Sequence, residues 1–281
     1  MVREKAYAKL NIFLNVVNKR KDGYHNLEMI MAPLLLHDAL SFKPTEKNEI
    51  RIITDKKITK NVKQNIIYKV AKELKKLYKV KTGVDIYVKK SIPMGAGLAG
   101  GSADAAATLR GLNKLWNLNL SLEKLAKIGK RFGADIPFCI YNKLSVVKGV
   151  GDELIFLEKE LKFQVLIVYP NIELSTKRVF GALEKNELNL GKLYPAIEAL
   201  HSNNISLLGK AMYNTLEKPA FRLEATVKKL KQTLVELENE AVLMSGSGSA
   251  VFVINNSKSK IKEVEKAVNG AYITILTKIK P

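Results

Sequence analysis

The chain has 281 residues, of which 47% are hydrophobic, enough for a sizeable core in one large domain or two joined ones. A single cysteine, Cys139, excludes an internal disulfide framework and favours a reducing compartment, which predicts the cytoplasm. No apolar run approaches the length of a membrane span, so no membrane partner is expected. The formal net charge of +20 is compatible with nucleic acid, an anionic membrane surface or polyanionic small substrates, and charge alone does not decide between them. Because the lysines are scattered over every segment, a solvated basic surface is favoured and no nucleic-acid partner is expected.

Hydrophobic periodicity predicts a series of elements in the first half of the chain. Ser121 is expected to cap one of the helices. The predicted elements are a strand over 6–17, helices over 62–78, 102–116 and 122–132, and a short strand over 84–88.

The second half predicts further strands and helices in alternation. The interleaving of the two types predicts an α+β chain with a boundary near residues 150–160. The predicted strands cover 163–169, 241–244, 250–254 and 271–276, and the predicted helices cover 176–185, 194–200, 205–215, 220–238 and 258–268.

The most informative segment is residues 92–104, where four glycines within seven residues lead into an alanine-rich helix. Glycine leaves backbone N–H groups accessible to a ligand, and the N-terminus of the following helix adds unpaired N–H groups and a positive dipole end. The segment therefore predicts a binding site for a phosphate group. The alternative is a flexible loop whose glycines allow close packing.

The glycine pattern also matches the dinucleotide motif G-x-G-x-x-G, with Glu123 at the expected distance. A Rossmann unit requires a second parallel strand after the glycine helix, whereas this sequence continues into another helix. Walker A and the protein-kinase motifs are absent from the sequence. We therefore expect a phosphate loop of another kind that ends in the hydroxyl of Ser102.

Two further segments are ambiguous when considered alone. Residues 244–250, Met-Ser-Gly-Ser-Gly-Ser-Ala, form either a simple hairpin turn or a second wall of the phosphate pocket. Lys9 and Asn11 share one face of the first strand, where they either hold an anion and a hydroxyl or belong to an ordinary amphipathic strand.

The remaining candidates are an acidic residue and an aromatic cluster. Asp135 lies among apolar residues between Gly133 and Pro137, as either a helix N-cap or a catalytic carboxylate that accepts a hydroxyl proton. Tyr24 and His25 lie in a turn, which is either incidental or a stacking platform for a planar base, with Phe180 as its second face.

Taken in this order, these segments resemble the GHMP kinase superfamily over nearly the whole chain. Residues 93–102 resemble its phosphate loop, and residues 245–249 resemble its third motif. Residues 22–25 and 134–139 resemble the branch that phosphorylates a cytidyl-linked sugar alcohol. The chain departs from the pattern at Tyr7, where the family has proline, and at 249–250, where Ser-Ala replaces Pro-Thr.

The resemblance implies a two-domain fold. Residues 1–155 are expected to form an ATP-binding domain of the ribosomal-protein-S5-domain-2 type, and residues 156–281 a ferredoxin-like domain, with substrate in a cleft between them. The implied reaction is ATP-dependent phosphorylation of the C2 hydroxyl of 4-diphosphocytidyl-2-C-methyl-D-erythritol, in the methylerythritol phosphate route to isoprenoids. The implied cofactors are ATP and Mg²⁺, and the implied state is a monomer or weak homodimer.

The resemblance also assigns roles residue by residue. Asp135 is the expected general base, assisted by Lys9, and Asn11 and Thr176 are expected to contact the substrate. Tyr24 and Phe180 are expected to sandwich the cytosine while His25 bonds its edge. Asn65 is expected near the adenine, and Ser102 is a candidate Mg²⁺ ligand. The expected phosphate-binding residues are Pro93, Met94, Gly95, Ala96, Gly97, Leu98, Ala99, Gly100, Gly101 and Ser102.

Two other functions compete with this one. A GHMP kinase acting on another small alcohol, such as mevalonate or homoserine, needs no aromatic cytosine clamp. A non-catalytic binder of nucleotides or nucleic acid would exploit the basic surface, and its binding would weaken steeply with salt.

Overall fold

The computed structural model describes residues 1–56 and 61–281. These residues divide into two compact units, each made of discontinuous segments. The first unit comprises Met1–Ala8, Leu36–Ile92 and Ala99–Asn142, and the second unit comprises Lys9–Leu35, Pro93–Leu98 and Lys143–Pro281. The predicted domain boundary after residue 155 remains a prediction.

Strands and helices alternate along the chain, as the sequence predicts. The strands are β1 (Val2–Lys19), β2 (His25–Thr45), β3 (Ile50–Thr54), β4 (Gly83–Lys89), β5 (Ser145–Lys148), β6 (Glu153–Phe156), β7 (Gln164–Tyr169), β8 (Tyr213–Asn214), β9 (Val242–Met244), β10 (Val251–Asn255) and β11 (Ile273–Lys278). The α-helices are α1 (Ile66–Leu77), α2 (Gly100–Leu115), α3 (Leu122–Lys130), α4 (Ile136–Tyr141), α5 (Thr176–Gly181), α6 (Leu193–Ser202), α7 (Ile205–Ala211), α8 (Glu217–Leu223), α9 (Ala225–Glu236) and α10 (Lys258–Val268).

The first unit places a group of helices beside a small sheet. Strand β4 pairs antiparallel with the second half of β2 and parallel with β3. Helix α2 packs against α1, α3 and α4, and its buried face is formed by small residues, which allows this close approach. At Gly111 the helix meets the ring of Phe42 on β2, where an added Cβ would lie 2.2 Å from Phe42 Cε2. The absence of a side chain at Gly111 thereby lets α2 pack closely on β2.

The second unit contains an antiparallel sheet in the strand order β11-β7-β10-β9. Helices α9 and α10 pack on this sheet. The chain order of these elements, β7, α9, β9, β10, α10 and β11, with this strand order, is the split βαβ arrangement of ferredoxin-like domains. Strands β7 and β10 are buried almost throughout, as expected for central strands.

The second unit also holds the C-terminal part of β1, from Lys9 onward. Phe13 and Leu14 of β1 pair in parallel with β8, and the first half of β2 pairs antiparallel with β5, which in turn pairs with β6. The parallel pairing of β1 with β8 places Phe13 and Leu14 beside Tyr213 and Asn214. Among the described residues, no helix combines the length and the apolar character needed to cross a membrane.

Most predicted elements are confirmed, including the Ser121 cap, whose Oγ accepts a hydrogen bond from the backbone N–H of Lys124. The helix predicted over 205–215 is wrong at its end, because Met212 is extended and the next two residues form β8. The single helix predicted over 220–238 is also wrong. Glu224 is extended and its carboxylate caps the N-terminus of α9, so two helices replace one.

Candidate active site

The first half of the glycine loop, Pro93–Leu98, belongs to the second unit and adopts a conformation that requires glycine. Gly95 and Gly97 have φ angles of +65° and +75°. The loop is held at both ends: Tyr169 donates its hydroxyl to the Met94 carbonyl at 2.9 Å, and the backbone N–H of Lys9 donates to Leu98 at 3.2 Å. The loop is thus a fixed element, which argues against the purely flexible alternative.

The turn formed by residues 245–250, between β9 and β10, lies directly against this loop. Ser245 Oγ donates to the Gly97 carbonyl at 3.0 Å, and the backbone N–H of Ala250 donates to Ala96 at 3.3 Å. A Cβ at Gly97 would lie 1.9 Å from the Ser245 carbonyl oxygen, so only glycine fits there. The buried amide of Asn214 supports the turn by donating to the carbonyls of Met244 and Gly246, both at 2.8 Å. The two glycine-rich segments singled out in the sequence are therefore brought together.

Lys9 and Asn11 on β1 reach the same place. Both side chains are buried, and Lys9 Nζ donates to Asn11 Oδ1. A Cβ at Gly246 would lie 3.1 Å from Lys9 Nζ, 3.3 Å from Asn11 Oδ1 and 3.1 Å from the Gly97 carbonyl oxygen. An ammonium group, an amide and two glycine-rich backbones therefore converge within the second unit, which is more than an ordinary amphipathic strand provides.

The aromatic candidates lie at the hairpin between β1 and β2. Gly23 has a φ of +86°, and the turn closes with the backbone N–H of Arg20 donating to the Tyr24 carbonyl at 2.8 Å. The rings of His25 and Phe180 lie 5.2 Å apart, whereas Tyr24 is 66% exposed at the tip. Burial, together with the charge of Lys19, lowers the pKa of His25, so its imidazole is neutral at pH 7.

Thr176 connects this group to the turn of residues 245–250. It is the first residue of α5, the helix that also carries Phe180, and its Oγ1 lies 2.9 Å from Ser247 Oγ. Thr176 is exposed, so its side chain is accessible to a ligand. All five residues predicted to bind substrate therefore belong to the second unit.

The second half of the glycine loop begins α2 in the first unit. Ala99 occupies the N-cap position in a left-handed conformation. Its methyl side chain cannot accept a hydrogen bond from the first N–H groups of this 16-residue helix. Gly101 is exposed, and a Cβ there would meet no atom within 4 Å. This helix start has the open backbone that a phosphate requires.

The segment that carries Asp135 passes close to the end of that loop within the first unit. A Cβ at Gly133, two residues before Asp135, would lie 3.8 Å from Ser102 Oγ. Asp135 occupies the N-cap position of α4, yet its carboxylate makes no cap hydrogen bond. The N-cap alternative left open by the sequence is therefore not how the side chain is used.

Asn65 has a defined structural task. It is buried at the N-cap of α1, where its Oδ1 accepts a hydrogen bond from the backbone N–H of Ile67 at 2.9 Å. That contact leaves its amide nitrogen as the group for any ligand, and proximity to adenine stays a prediction.

One cluster was missed by the sequence reasoning. Lys90, Asp38 and Asp104 are buried together in the first unit, with Lys90 Nζ donating to Asp38 Oδ2 and to Asp104 Oδ2. Burial raises the pKa of Asp104 to about 7 against the opposing charge of Lys90. Burial lowers the pKa of Lys90, but the two carboxylates outweigh it and the net shift is upward. The available signal was a charged residue inside each of two apolar runs, at positions 38 and 104.

Family models match both parts of the chain. The model described as "GHMP kinases N terminal domain" matches residues 65–143, and "GHMP kinases C terminal" matches residues 196–274. A 4-diphosphocytidyl-2-C-methyl-D-erythritol kinase of Bacillus subtilis is 37% identical over 269 residues, which cover 96% of this chain and 93% of the relative. The chain belongs to the GHMP kinase family. The resemblance and the α+β two-domain fold expected from the sequence are thereby confirmed.

Other GHMP kinase relatives agree. A kinase of the same name from Exiguobacterium sibiricum is 37% identical over 266 residues, covering 95% of this chain and 93% of its own. The crystal structure of a 4-(cytidine 5'-diphospho)-2C-methyl-D-erythritol kinase matches with a TM-score of 0.85 and 28% identity over 99% of both chains. Membership of this family makes the chain a small-molecule kinase that uses ATP.

Proposed function

We propose that this GHMP kinase transfers the γ-phosphoryl group of ATP to the C2 hydroxyl of 4-diphosphocytidyl-2-C-methyl-D-erythritol. The observation that carries the proposal is the pairing of His25 with Phe180 beside Tyr24, because a cytosine ring needs flat faces and an edge partner. A kinase for a small alcohol without a base has no use for such a group. The full-length relatives named for this substrate support the same choice.

The phosphates of ATP are assigned to residues 93–102. Phosphoryl transfer depends on positioning and on stabilising charge on the transferred group, and little covalent chemistry is required of the protein. Backbone N–H groups around Gly95 and Gly97, and those at the start of α2, supply donors that need no side-chain reorganisation. The contacts from Ser245 and Tyr169 keep the first half of this loop in place before ATP arrives.

The acceptor alcohol is assigned to Asp135, Lys9 and Asn11. Asp135, at the start of α4, accepts the proton of the C2 hydroxyl as that hydroxyl's oxygen attacks the γ-phosphorus and the bond to ADP breaks. Lys9 supplies a positive charge that stabilises the developing negative charge, and its bond to Asn11 fixes the direction of the ammonium group. Asn11 also donates to the Met29 sulfur at 3.3 Å, which holds its amide in one orientation, and we assign it to the methylerythritol end of the substrate.

The cytidyl end is assigned to the hairpin and α5. Tyr24 and Phe180 provide the two stacking faces, and the neutral imidazole of His25 offers one donor and one acceptor to the cytosine edge. Thr176 contacts the substrate between these groups and the 245–250 turn, to which it is already linked through Ser247.

Mg²⁺ fits the residues that are present. Among the described residues, no three His, Cys, Asp or Glu side chains form a metal-binding group. Nucleotide-bound Mg²⁺ needs only one or two protein oxygens in addition to phosphates and water, and the half-buried Ser102 hydroxyl supplies one beside Gly133. When bound, the ion neutralises charge on the phosphates.

We also propose a compartment, an oligomeric state and partners for the enzyme. We place it in the cytoplasm as a monomer or weak homodimer whose partners are ATP and the cytidyl substrate, with no nucleic acid and no membrane. Cys139 is buried and is the single cysteine of the sequence, which is compatible with a reducing compartment.

A coupled ADP-release assay tests the reaction. The purified chain is given Mg-ATP with 4-diphosphocytidyl-2-C-methyl-D-erythritol, mevalonate or homoserine in parallel. Turnover with the cytidyl substrate alone is the expected result. Turnover with another alcohol would retain the kinase and discard the base clamp, and no turnover with any of the three would overturn the proposed function.

A further inference from the structure

Three buried charges lie where the chain enters and leaves the glycine loop. Lys90 precedes Pro93 by three residues, and Asp104 follows Ser102 by two. Asp38 comes from β2, more than fifty residues earlier in the chain, and is fully buried. All three belong to the first unit. The roles assigned to the site above do not use any of them.

Asp38 holds the segment that leads into the loop. Its Oδ1 accepts hydrogen bonds from the backbone N–H groups of Ser91 at 2.5 Å and Ile92 at 2.8 Å, and its other oxygen accepts from Lys90 Nζ. A single carboxylate on β2 therefore fixes the three residues directly before Pro93.

Asp104 extends the same connection to the segment that leaves the loop. Lys90 Nζ donates to Asp104 Oδ2 at 2.7 Å, which links β2 to the first turns of α2. Gly100 packs between these groups: a Cβ there would lie 3.1 Å from Ile92 Cγ2 and 3.7 Å from Lys90 Nζ. The beginning and the end of the loop are thus held in contact by one ammonium group and two carboxylates.

The chemistry of the cluster indicates that it positions the neighbouring backbone segments more than it stabilises the folded state. Buried ion pairs lose much of their attraction to the cost of removing charges from water, and apolar residues fill such a space at lower cost. Within the described part of the chain, Asp104 Oδ1 is buried without a hydrogen-bond partner, which adds to that cost. What the three charges supply that apolar side chains cannot is direction, because each bond joins specified atoms.

We propose that Asp38, Lys90 and Asp104 are positioning residues for ATP, which set the spacing between Ile92 and the N-terminus of α2 so that the loop's N–H groups converge on the phosphates. The proposal rests on the proposed role of residues 93–102 in phosphate binding. It assigns no contact between these three side chains and ATP itself.

The decisive variant is Asp104→Ala, which leaves Lys90 paired with Asp38 as a balanced couple and puts a good helix former into α2. Displacement of a binding group by about 1 Å is enough to cost up to about 10²-fold. We therefore expect the KM for ATP to rise roughly tenfold or more, with the KM for the cytidyl substrate within about twofold of wild type. Partial unfolding would lower the apparent kcat and leave the KM for ATP unchanged.

Asp85→Ala is the matched control. Asp85 is a buried carboxylate on β4 of the same unit, where it receives two hydrogen bonds from Arg51 at 2.7 and 2.6 Å. Its loss is expected to lower the melting temperature without moving the KM for ATP. An equal rise in the KM for ATP in both variants would reduce the cluster to a general structural role and overturn the proposal.

Asp104→Asn covers the case in which the alanine variant does not fold. The amide keeps an acceptor for Lys90 and loses only the charge, so we expect rescue of folding and a smaller rise in the KM for ATP, about threefold. An unchanged KM for ATP in Asp104→Asn and in any folded alanine variant would overturn the proposal. Wild-type turnover measured alongside separates this failure from failure of the proposed reaction.

Discussion

The second unit contains two regions that the proposed reaction uses in different ways. The loop–turn region, Pro93–Leu98 with residues 245–250, is held by backbone and buried hydroxyl contacts, and residues 245–250 are buried throughout. The hairpin region, residues 20–25 with Phe180, combines local turn contacts with the ring contact of His25 and Phe180, and it leaves Tyr24 66% exposed. The first suits phosphates, which every kinase of the family must bind. The second suits a base, which distinguishes one substrate from another and is placed on an adaptable surface loop.

The largest expected effect is on the chemical step, and it comes from Asp135, which belongs to neither region. Asp135→Asn removes the proposed proton acceptor and keeps the shape of the side chain, so kcat should fall by about 10²–10⁴ while ATP affinity stays nearly intact. Steady-state kinetics together with nucleotide titration measure both quantities. A variant that turns over like the wild type would contradict the assignment of Asp135 as the base.

Gly97→Ala probes the loop–turn region. The new Cβ meets the Ser245 carbonyl at 1.9 Å and forces alanine into a φ of +75°. Because backbone must move, kcat/KM for ATP should fall by about 10²-fold and the melting temperature should drop.

Gly181→Ala is the control for that change, since a Cβ there meets no atom within 4 Å and the substitution should leave the melting temperature nearly unchanged. If Gly97→Ala behaves like Gly181→Ala, then the loop–turn region is more adaptable than its contacts indicate, and the contrast with the hairpin region disappears.

Tyr24→Ala probes the hairpin region. A lost base–aromatic stack is worth about 1–3 kcal/mol, so the KM for the cytidyl substrate should rise by roughly 5–150-fold, with the KM for ATP unchanged. Tyr194→Ala is the matched control, because Tyr194 is 72% exposed on α6 of the same unit. Equal KM values for the two variants would remove Tyr24 from the substrate site.

The smallest expected effect is a dependence on pH at His25. The pKa of His25 lies below its usual value of about 6.5 because of burial and the nearby Lys19, so the neutral ring persists into mildly acidic solution. The KM for the cytidyl substrate should stay flat from pH 8 to about 6.5 and rise a few-fold below that, as protonation removes the ring's acceptor. His25→Gln should flatten the profile, and a wild-type profile that rises at alkaline pH would contradict this sign.

The parts predicted well from sequence have local signals. The helix after the four glycines, the Ser121 cap and the strand over residues 6–17 each depend on neighbours within a few residues, and each is confirmed. The contact between His25 and Phe180 has no local signal, since 155 residues separate them along the chain, and the sequence indicates Phe180 only as a second stacking face with Tyr24.

The predictions that failed, and the cluster that sequence reasoning missed, concern residues whose structure depends on tertiary contacts. Residues 213–214 carry no strand pattern, and they become β8 because β1 offers a parallel partner at Phe13 and Leu14. The Asp38–Lys90–Asp104 cluster joins positions 52 and 14 residues apart, so composition cannot indicate that the charges meet. Asp104 also lies in an alanine-rich helix, and an isolated acidic residue in such a helix is ordinarily predicted to be exposed.

The most direct test of the contrast between the two regions is to compare the full cytidyl substrate with its fragment that lacks cytidine monophosphate, 2-C-methyl-D-erythritol 4-phosphate. Both carry the same C2 hydroxyl, and only the first can engage the hairpin region. The expected result is a kcat/KM for the fragment that is lower by at least about 10²-fold, with the KM for ATP unchanged. Similar kcat/KM values for the two compounds would contradict it.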